Sequence, residues 1–237
     1  MWARLLVICL ASGTLLAQTA GEFRQQADQL IRENKWDEAR NLLQTGLEQY
    51  PDDSEILVLL GSLLVRSGRV AEGDGLLRKA LDMQPDNARA LRAAGEAQLR
   101  RGQVADAITL FEDSLEQNSQ DGESHHRLAF ARLAQGEEGK ALEHARQAVE
   151  INPLEPRYRR LYALLLDLEG QVEQSYQQLK IAYRLAPEDP KLLFQLSQKR
   201  QLSGDLFQAL EYLELAIETD PENPLYHDEL ASLYQQL

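Results

Sequence analysis

A proline recurs at a spacing of 34 residues along this chain: Pro51, Pro85, Pro153, Pro187 and Pro221, with Ser119 on the one missing beat. A constant period of this length, without insertions, means that one supersecondary unit is copied and stacked. With the proline as position 32, the copies run 20–53, 54–87, 88–121, 122–155, 156–189 and 190–223, and a half-length copy, 224–237, closes the series. Three more columns hold only small residues. Position 8 carries Ala27, Gly61, Gly95, Ala129, Ala163, Ser197 and Ala231; position 20 carries Ala39, Gly73, Ala107, Ala141, Ser175 and Ala209; position 27 carries Gly46, Ala80, Ser114, Ala148, Ala182 and Ala216. Side chains of this size let two helix backbones cross closely.

Position 15 carries Gly68, Gly102, Gly136, Gly170 and Gly204, where a helix ends in a left-handed cap. Between that glycine and the proline, apolar residues fall three and four apart, as in Ala107, Leu110, Phe111 and Leu115, the spacing of a second amphipathic helix. Asp189 before Pro190 and Asn223 before Pro224 are N-caps followed by a proline in the first helical position. Each copy is therefore a helix hairpin, and helices this short need their neighbours to bury the apolar stripe.

These residues resemble the tetratricopeptide-repeat family, whose pattern is Trp-x2-Leu-Gly-x2-Tyr, then Ala-x3-Phe, then Pro. The third copy carries Ala107-x3-Phe111, and the second carries Leu57-x2-Leu60-Gly61-x2-Leu64. The resemblance spans about residue 20 to the last residue. It implies an all-α fold, a right-handed superhelical solenoid of antiparallel helix hairpins with six 34-residue repeats and a C-terminal capping helix over 224–237. The chain departs from the pattern in places. No repeat keeps the tryptophan, only Tyr234 keeps the tyrosine, and His125 and Arg159 occupy the usually apolar position 4. Gln26, where later repeats have Leu60, Leu128 or Leu196, suits an exposed edge, and the last helix is expected to cover Leu213 and Ile217.

Residues 1–20 read as a signal peptide, leaving a repeat domain over 21–237. Arg4 supplies a positive start, residues 5–16 an apolar core, and Ala17-Gln18-Thr19-Ala20 a small-residue exit cut after Ala17 or Ala20. The apolar run of 12 residues is shorter than the roughly 20 a membrane-spanning helix needs, so no membrane span is expected after cleavage. Cys9, the only cysteine, would leave with this segment, which excludes disulfide and thiol chemistry from the mature chain. The expected location is periplasmic or secreted. A formal net charge of -13 argues against nucleic acid and anionic lipid, both of which require phosphate to be neutralised by Lys and Arg.

No constellation for catalysis stands out, so the chain is read as not an enzyme. His125 and His126 adjoin and point to different sides of a helix, and no two histidines stand four apart as a helical metal site requires. No serine or cysteine sits in a nucleophile elbow, and no glycine loop has phosphate-binding spacing. Acidic pairs such as Glu112-Asp113 and Glu137-Glu138 read as solvated faces. No metal and no cofactor are expected.

In the family, the first helices line a concave groove with positions 2, 5, 9, 12 and 13. Carried over to this chain, those positions include Arg66, Arg89, Arg92, Arg100, His126, Phe130, Arg157, Arg160 and Phe194. Across the six full repeats they hold nine Arg or Lys against five Asp or Glu, so the lining is net positive within an acidic chain. The implied function is a non-catalytic extracytoplasmic protein-binding scaffold that holds a partner segment in the groove, in envelope assembly or export. The partner expected is an acidic protein or peptide segment, with the arginines as charge-assisted donors and Phe130 and Phe194 as apolar anchors. The alternative is a structural component of a polysaccharide-secretion complex. For the arginines, the competing reading is that they only bridge neighbouring helices.

Overall fold

The computed structural model describes residues 18–237, so residues 1–17 of the signal-peptide reading lie outside the described residues. The described residues form helices and turns without a strand. They fall into two compact units, 18–83 and 84–237. The first holds α1 (Ala20–Arg32), α2 (Trp36–Gln49), α3 (Ser54–Arg66) and α4 (Val70–Met83). The second holds α5 (Ala88–Arg100), α6 (Val104–Gln117), α7 (Gly122–Ala134), α8 (Glu138–Ile151), α9 (Pro156–Leu168), α10 (Val172–Leu185), α11 (Pro190–Leu202), α12 (Leu206–Thr219) and α13 (Pro224–Gln236). Odd-numbered helices are the first helices of the repeats; α1, α3, α5, α7, α9 and α11 each pair with the helix that follows, and α13 packs on α12.

The period is written most plainly at the helix starts. Thr19, Asp53, Asn87, Asp121, Glu155, Asp189 and Asn223 precede the seven first helices, and the side chain of each accepts a backbone N–H of the first turn. This satisfies donors that the helix itself leaves unpaired. At the other end of the first helix the chain turns through a left-handed residue: the five glycines of position 15, with φ between 73° and 88°, and Asn34 at 58°. Asn34 fills the beat that glycine leaves empty in repeat one, since Asn tolerates this region better than other side chains. In the turn after α3, the N–H of Arg69 reaches back to the Leu64 carbonyl at 2.9 Å, closing the six-to-one bond of a Schellman ending. Gly136→Ala is expected to cost about 1–2 kcal/mol through this backbone strain alone. An added Cβ there meets nothing within 4 Å, so urea unfolding of this variant reports conformation without clash.

The small-residue columns lie at the crossings. Ala27, Ala39, Ala80, Ala107, Ala129, Ala141, Ala148, Ala163, Ala182, Ala209 and Ala216 are all fully buried. A Cβ on Gly95 would lie 2.7 Å from the Phe111 ring, and one on Gly61 would lie 2.8 Å from Leu77. Glycine in position 8 is therefore matched to a large side chain in position 24. Two of the three serines at these crossings pair their hydroxyls, while the buried hydroxyl of Ser175 has no partner among the described residues. Ser197 Oγ donates to the Ala209 carbonyl at 2.7 Å, and Ser114 Oγ donates to the Ala88 carbonyl at 2.9 Å.

The polar residues of position 4 have a common task. His125 Nε2 lies 3.2 Å from the Ser119 carbonyl, Arg159 Nε donates to the Pro153 carbonyl at 2.8 Å, and His227 Nε2 lies 2.7 Å from the Pro221 carbonyl. Each is the position-32 carbonyl of the preceding turn, so a polar side chain serves where the family pattern places an apolar one. In α13, Tyr226 and Leu233 close over Leu213, Ala216 and Leu193, with Ile217 packed alongside. Gln26 is exposed on α1.

Candidate functional site

Within the second unit, a cleft of about 440 Å3 opens on the first helices. Glu96, Leu99 and Arg100 come from α5; His126, Arg127 and Phe130 from α7; Arg157, Arg160, Leu161 and Leu164 from α9; and Gln195 from α11. Leu99, Phe130, Leu161 and Leu164 make an apolar wall, in which Phe130 is 52% exposed. Four guanidinium groups and the single carboxylate of Glu96 supply the charge of the lining.

Carboxylates around the cleft fix where those guanidinium groups stand. Arg127 Nε donates to Glu123 at 2.8 Å, Arg157 Nε donates to Glu155 at 2.9 Å, and Arg100 lies 3.4 Å from Glu96. Arg160 approaches Asp189 only to 4.0 Å. A guanidinium carries five N–H donors, so these contacts orient each arginine without exhausting it. Glu123 is the hub, also accepting from the Tyr158 hydroxyl at 2.9 Å and from Arg157 at 3.4 Å. Burial alone would raise its pKa, but Arg127, Arg157 and the Tyr158 hydroxyl outweigh burial and hold it below the usual carboxylate range. Burial, together with Glu123, pushes the Tyr158 hydroxyl up.

His126 stacks on Tyr158 with ring centroids 4.8 Å apart. Burial, reinforced by Arg127, Arg157 and Arg160 against the pull of Glu123, lowers its pKa to about 4, so the ring is neutral at pH 7. The unfolded chain binds this proton near pH 6.5 and the folded chain near pH 4, so stability falls as the pH drops through that window. Wild type should lose about 1–3 kcal/mol more than His126→Phe between neutral pH and pH 4, measured by urea titration across that range.

Of the nine residues singled out from the sequence, the structure gathers Arg100, His126, Phe130, Arg157 and Arg160 at this cleft. Arg66 belongs to the first unit, where its guanidinium lies 4.3 Å over the Trp36 ring beside a separate pocket. Arg89 is on the first turn of α5, outside the cleft lining. Arg92 makes an ion pair with Asp121, the N-cap of α7. Phe194 packs on Tyr226 of α13, with centroids 5.1 Å apart. Position 5 thus forms rungs between successive first helices: Arg92 to Asp121, His126 to Tyr158, Arg160 towards Asp189, Phe194 to Tyr226. Position 6, which the sequence reading passed over, supplies Arg127, Leu161 and Gln195 to the cleft. The shared column was the available signal.

The other histidines lie elsewhere. His125 Nδ1 is 3.2 Å from His144 Nδ1, across the α7–α8 hairpin. The Ser119 carbonyl beside Nε2 makes that nitrogen the donor. Among the described residues, no group of three or more His, Cys, Asp or Glu is arranged to hold a metal ion.

The model of the tetratricopeptide repeat matches residues 30–94, 75–125 and 98–165, which together exceed half of the 237 residues. The chain is a tetratricopeptide-repeat protein. Proteins of this family act as protein-interaction scaffolds. No curated protein matches the sequence significantly. Among solved structures, that of Pseudomonas aeruginosa PilF superposes with a TM-score of 0.74 at 18% identity, covering 90% of this chain and 97% of PilF. YrrB, described as a tetratricopeptide-repeat protein with an unusual peptide-binding site, gives 0.59 at 20% identity, covering 79% of this chain and 96% of YrrB. The Cut9-Hcn1 assembly of the APC/C gives 0.83 at 12% identity, covering 91% of this tetratricopeptide-repeat chain and 43% of the matched chain. At these identities the likeness is one of fold. Among the described residues, no helix is long and apolar enough to cross a membrane.

Proposed function

We propose that the protein is a non-catalytic extracytoplasmic scaffold whose cleft holds an acidic, partly apolar segment of a partner protein, in envelope assembly or export. One observation carries this reading: four arginines, positioned by surrounding carboxylates, face an apolar wall in a single cleft of a chain with net charge -13. Guanidinium groups fixed before binding lose little freedom when they take a carboxylate. Leu99, Phe130 and Leu164 offer adjoining apolar contact. YrrB supports peptide binding on a related fold.

The test is a selection of random octapeptides on the immobilised protein. Sequences combining Asp or Glu with large apolar residues should be enriched. A triple Arg100→Glu, Arg157→Glu, Arg160→Glu variant should bind them at least about thirtyfold more weakly, with unchanged helicity by circular dichroism. Enrichment of basic peptides, or equal binding by the variant, would remove the cleft from consideration.

The leader reading belongs to the same proposal. Thr19 accepts from Glu22 N, and Glu22 accepts from Thr19 N at 2.7 Å, a complete capping box for α1, while the Tyr50 hydroxyl donates to the Gln18 carbonyl at 2.9 Å. Cleavage after Ala17 preserves both contacts, and cleavage after Ala20 removes both. N-terminal sequencing of the exported chain should therefore begin at Gln18.

A further inference from the structure

The most exposed large apolar side chains in the second unit stand together at one hairpin tip. Leu202, the last residue of α11, is 80% exposed, and Phe207, in the first turn of α12, is 79% exposed. The same template positions hold Arg100 and Ala105 in repeat three, Ala134 and Gly139 in repeat four, and Leu168, 49% exposed, with Glu173 in repeat five, so within this unit only the repeat-six tip carries a large apolar side chain at both. From Phe207 the outward face of α12 continues through Glu211, Glu214, Leu215 and Glu218, all exposed. These positions fall on one side of a helix of 3.6 residues per turn. The face is apolar and acidic, with no basic residue in it.

That is the chemistry the cleft is built to take. We propose that the α12 tip of one molecule docks into the cleft of a second copy of this chain. Phe207 enters against Leu99, Phe130 and Leu164, and Glu211 and Glu214 meet Arg100 and Arg157. A cleft of about 440 Å3 is in the range that encloses one or two large side chains. Both exposed features then have a partner, and charge of opposite sign meets across the contact. The two surfaces differ, so the contact is heterologous. Repeated from copy to copy, it builds open chains or rings rather than stopping at a symmetric dimer. The proposal rests on the reading of the cleft as a binding site and names one occupant for it.

Sedimentation velocity of the purified protein, from about 1 µM to about 500 µM, tests this directly. The average mass should rise with concentration and pass beyond that of a dimer. Phe207→Glu should weaken association at least about tenfold, as should the pair Glu211→Arg with Glu214→Arg and the pair Arg100→Glu with Arg157→Glu. All of these positions are exposed, and circular dichroism should confirm that the variants fold. Mixing the two charge-reversed pairs should restore association between them, because each supplies the complement of the other. A wild-type protein that stays monomeric throughout overturns the proposal, as does association that the tip and cleft variants leave unchanged. A monomer that still selects acidic octapeptides would sink self-docking alone and leave the cleft a binding site for other chains.

Discussion

Phe111→Ala is expected to destabilise the protein by about 3–5 kcal/mol, the cost of a large aromatic side chain lost from a core that cannot collapse around the void. The ring is fully buried with Ala107, Ile108, Leu128 and Ala131. It fits only because Gly95 opposite has no Cβ, and one built there would lie 2.7 Å from the ring. Gly95→Ala should accordingly cost about 1–3 kcal/mol by overpacking, as should Ala107→Leu at the neighbouring crossing. The two sides of the contact are a matched pair, and the chain shows the alternative: repeat five uses Ala163 with Leu179, both buried in one cluster. Gly95→Ala with Phe111→Leu imports that pair. The double variant should be less destabilised than the sum of the single changes by about 1 kcal/mol or more. Urea unfolding of the four proteins checks this, and strictly additive losses would mean that the two positions do not form a unit. Exposed Glu116→Ala is a suitable neutral control.

The fold was legible because each structural demand recurs in a fixed column. Small residues at Ala107 or Ala141 and glycine at Gly102 or Gly136 answer constraints of backbone approach and left-handed φ that few residues meet. Columns that are chemically mixed were harder to read. The first-helix caps span Thr19, Asp53, Asn87 and Glu155, alike in one acceptor oxygen and otherwise different. Position 4 mixes Leu91, His125 and Arg159, because either apolar packing or a bond to the preceding turn carbonyl satisfies the site. The acidic pairs do lie on solvent-accessible faces, but two of their members are also ion-paired. Glu112 and Glu137 both accept from Arg132, which is why Glu137 would be a poor neutral control. Position alone assigned the cleft only in part. Arg92 and Arg160 share a column, but the Asp121 carboxylate holds Arg92 in an ion pair while Asp189 stands 4.0 Å from Arg160. Such differences depend on side-chain partners one repeat away, which periodicity does not encode.

Tyr226→Ala combined with Leu233→Ala should release the last helix and then loosen the repeat beneath it. Both side chains are buried against Leu193 and Leu213, and Phe194 tilts against Tyr226 at 5.1 Å. Each truncation removes about 2–5 kcal/mol of local packing, more than a helix of 13 residues recovers from its own hydrogen bonds. In a stacked array each repeat depends on its immediate neighbours, so the loss should stay local at first. Amide exchange in α11 and α12 should accelerate by about a hundredfold or more, while α5 through α8 keep their protection. Leu213 belongs to the second helix of repeat six, and among the described residues its cluster is closed by Tyr226 and Leu233 of α13. A uniform loss of protection across the second unit would instead mean that its repeats unfold as one body, and that α13 contributes to global stability rather than sealing one edge.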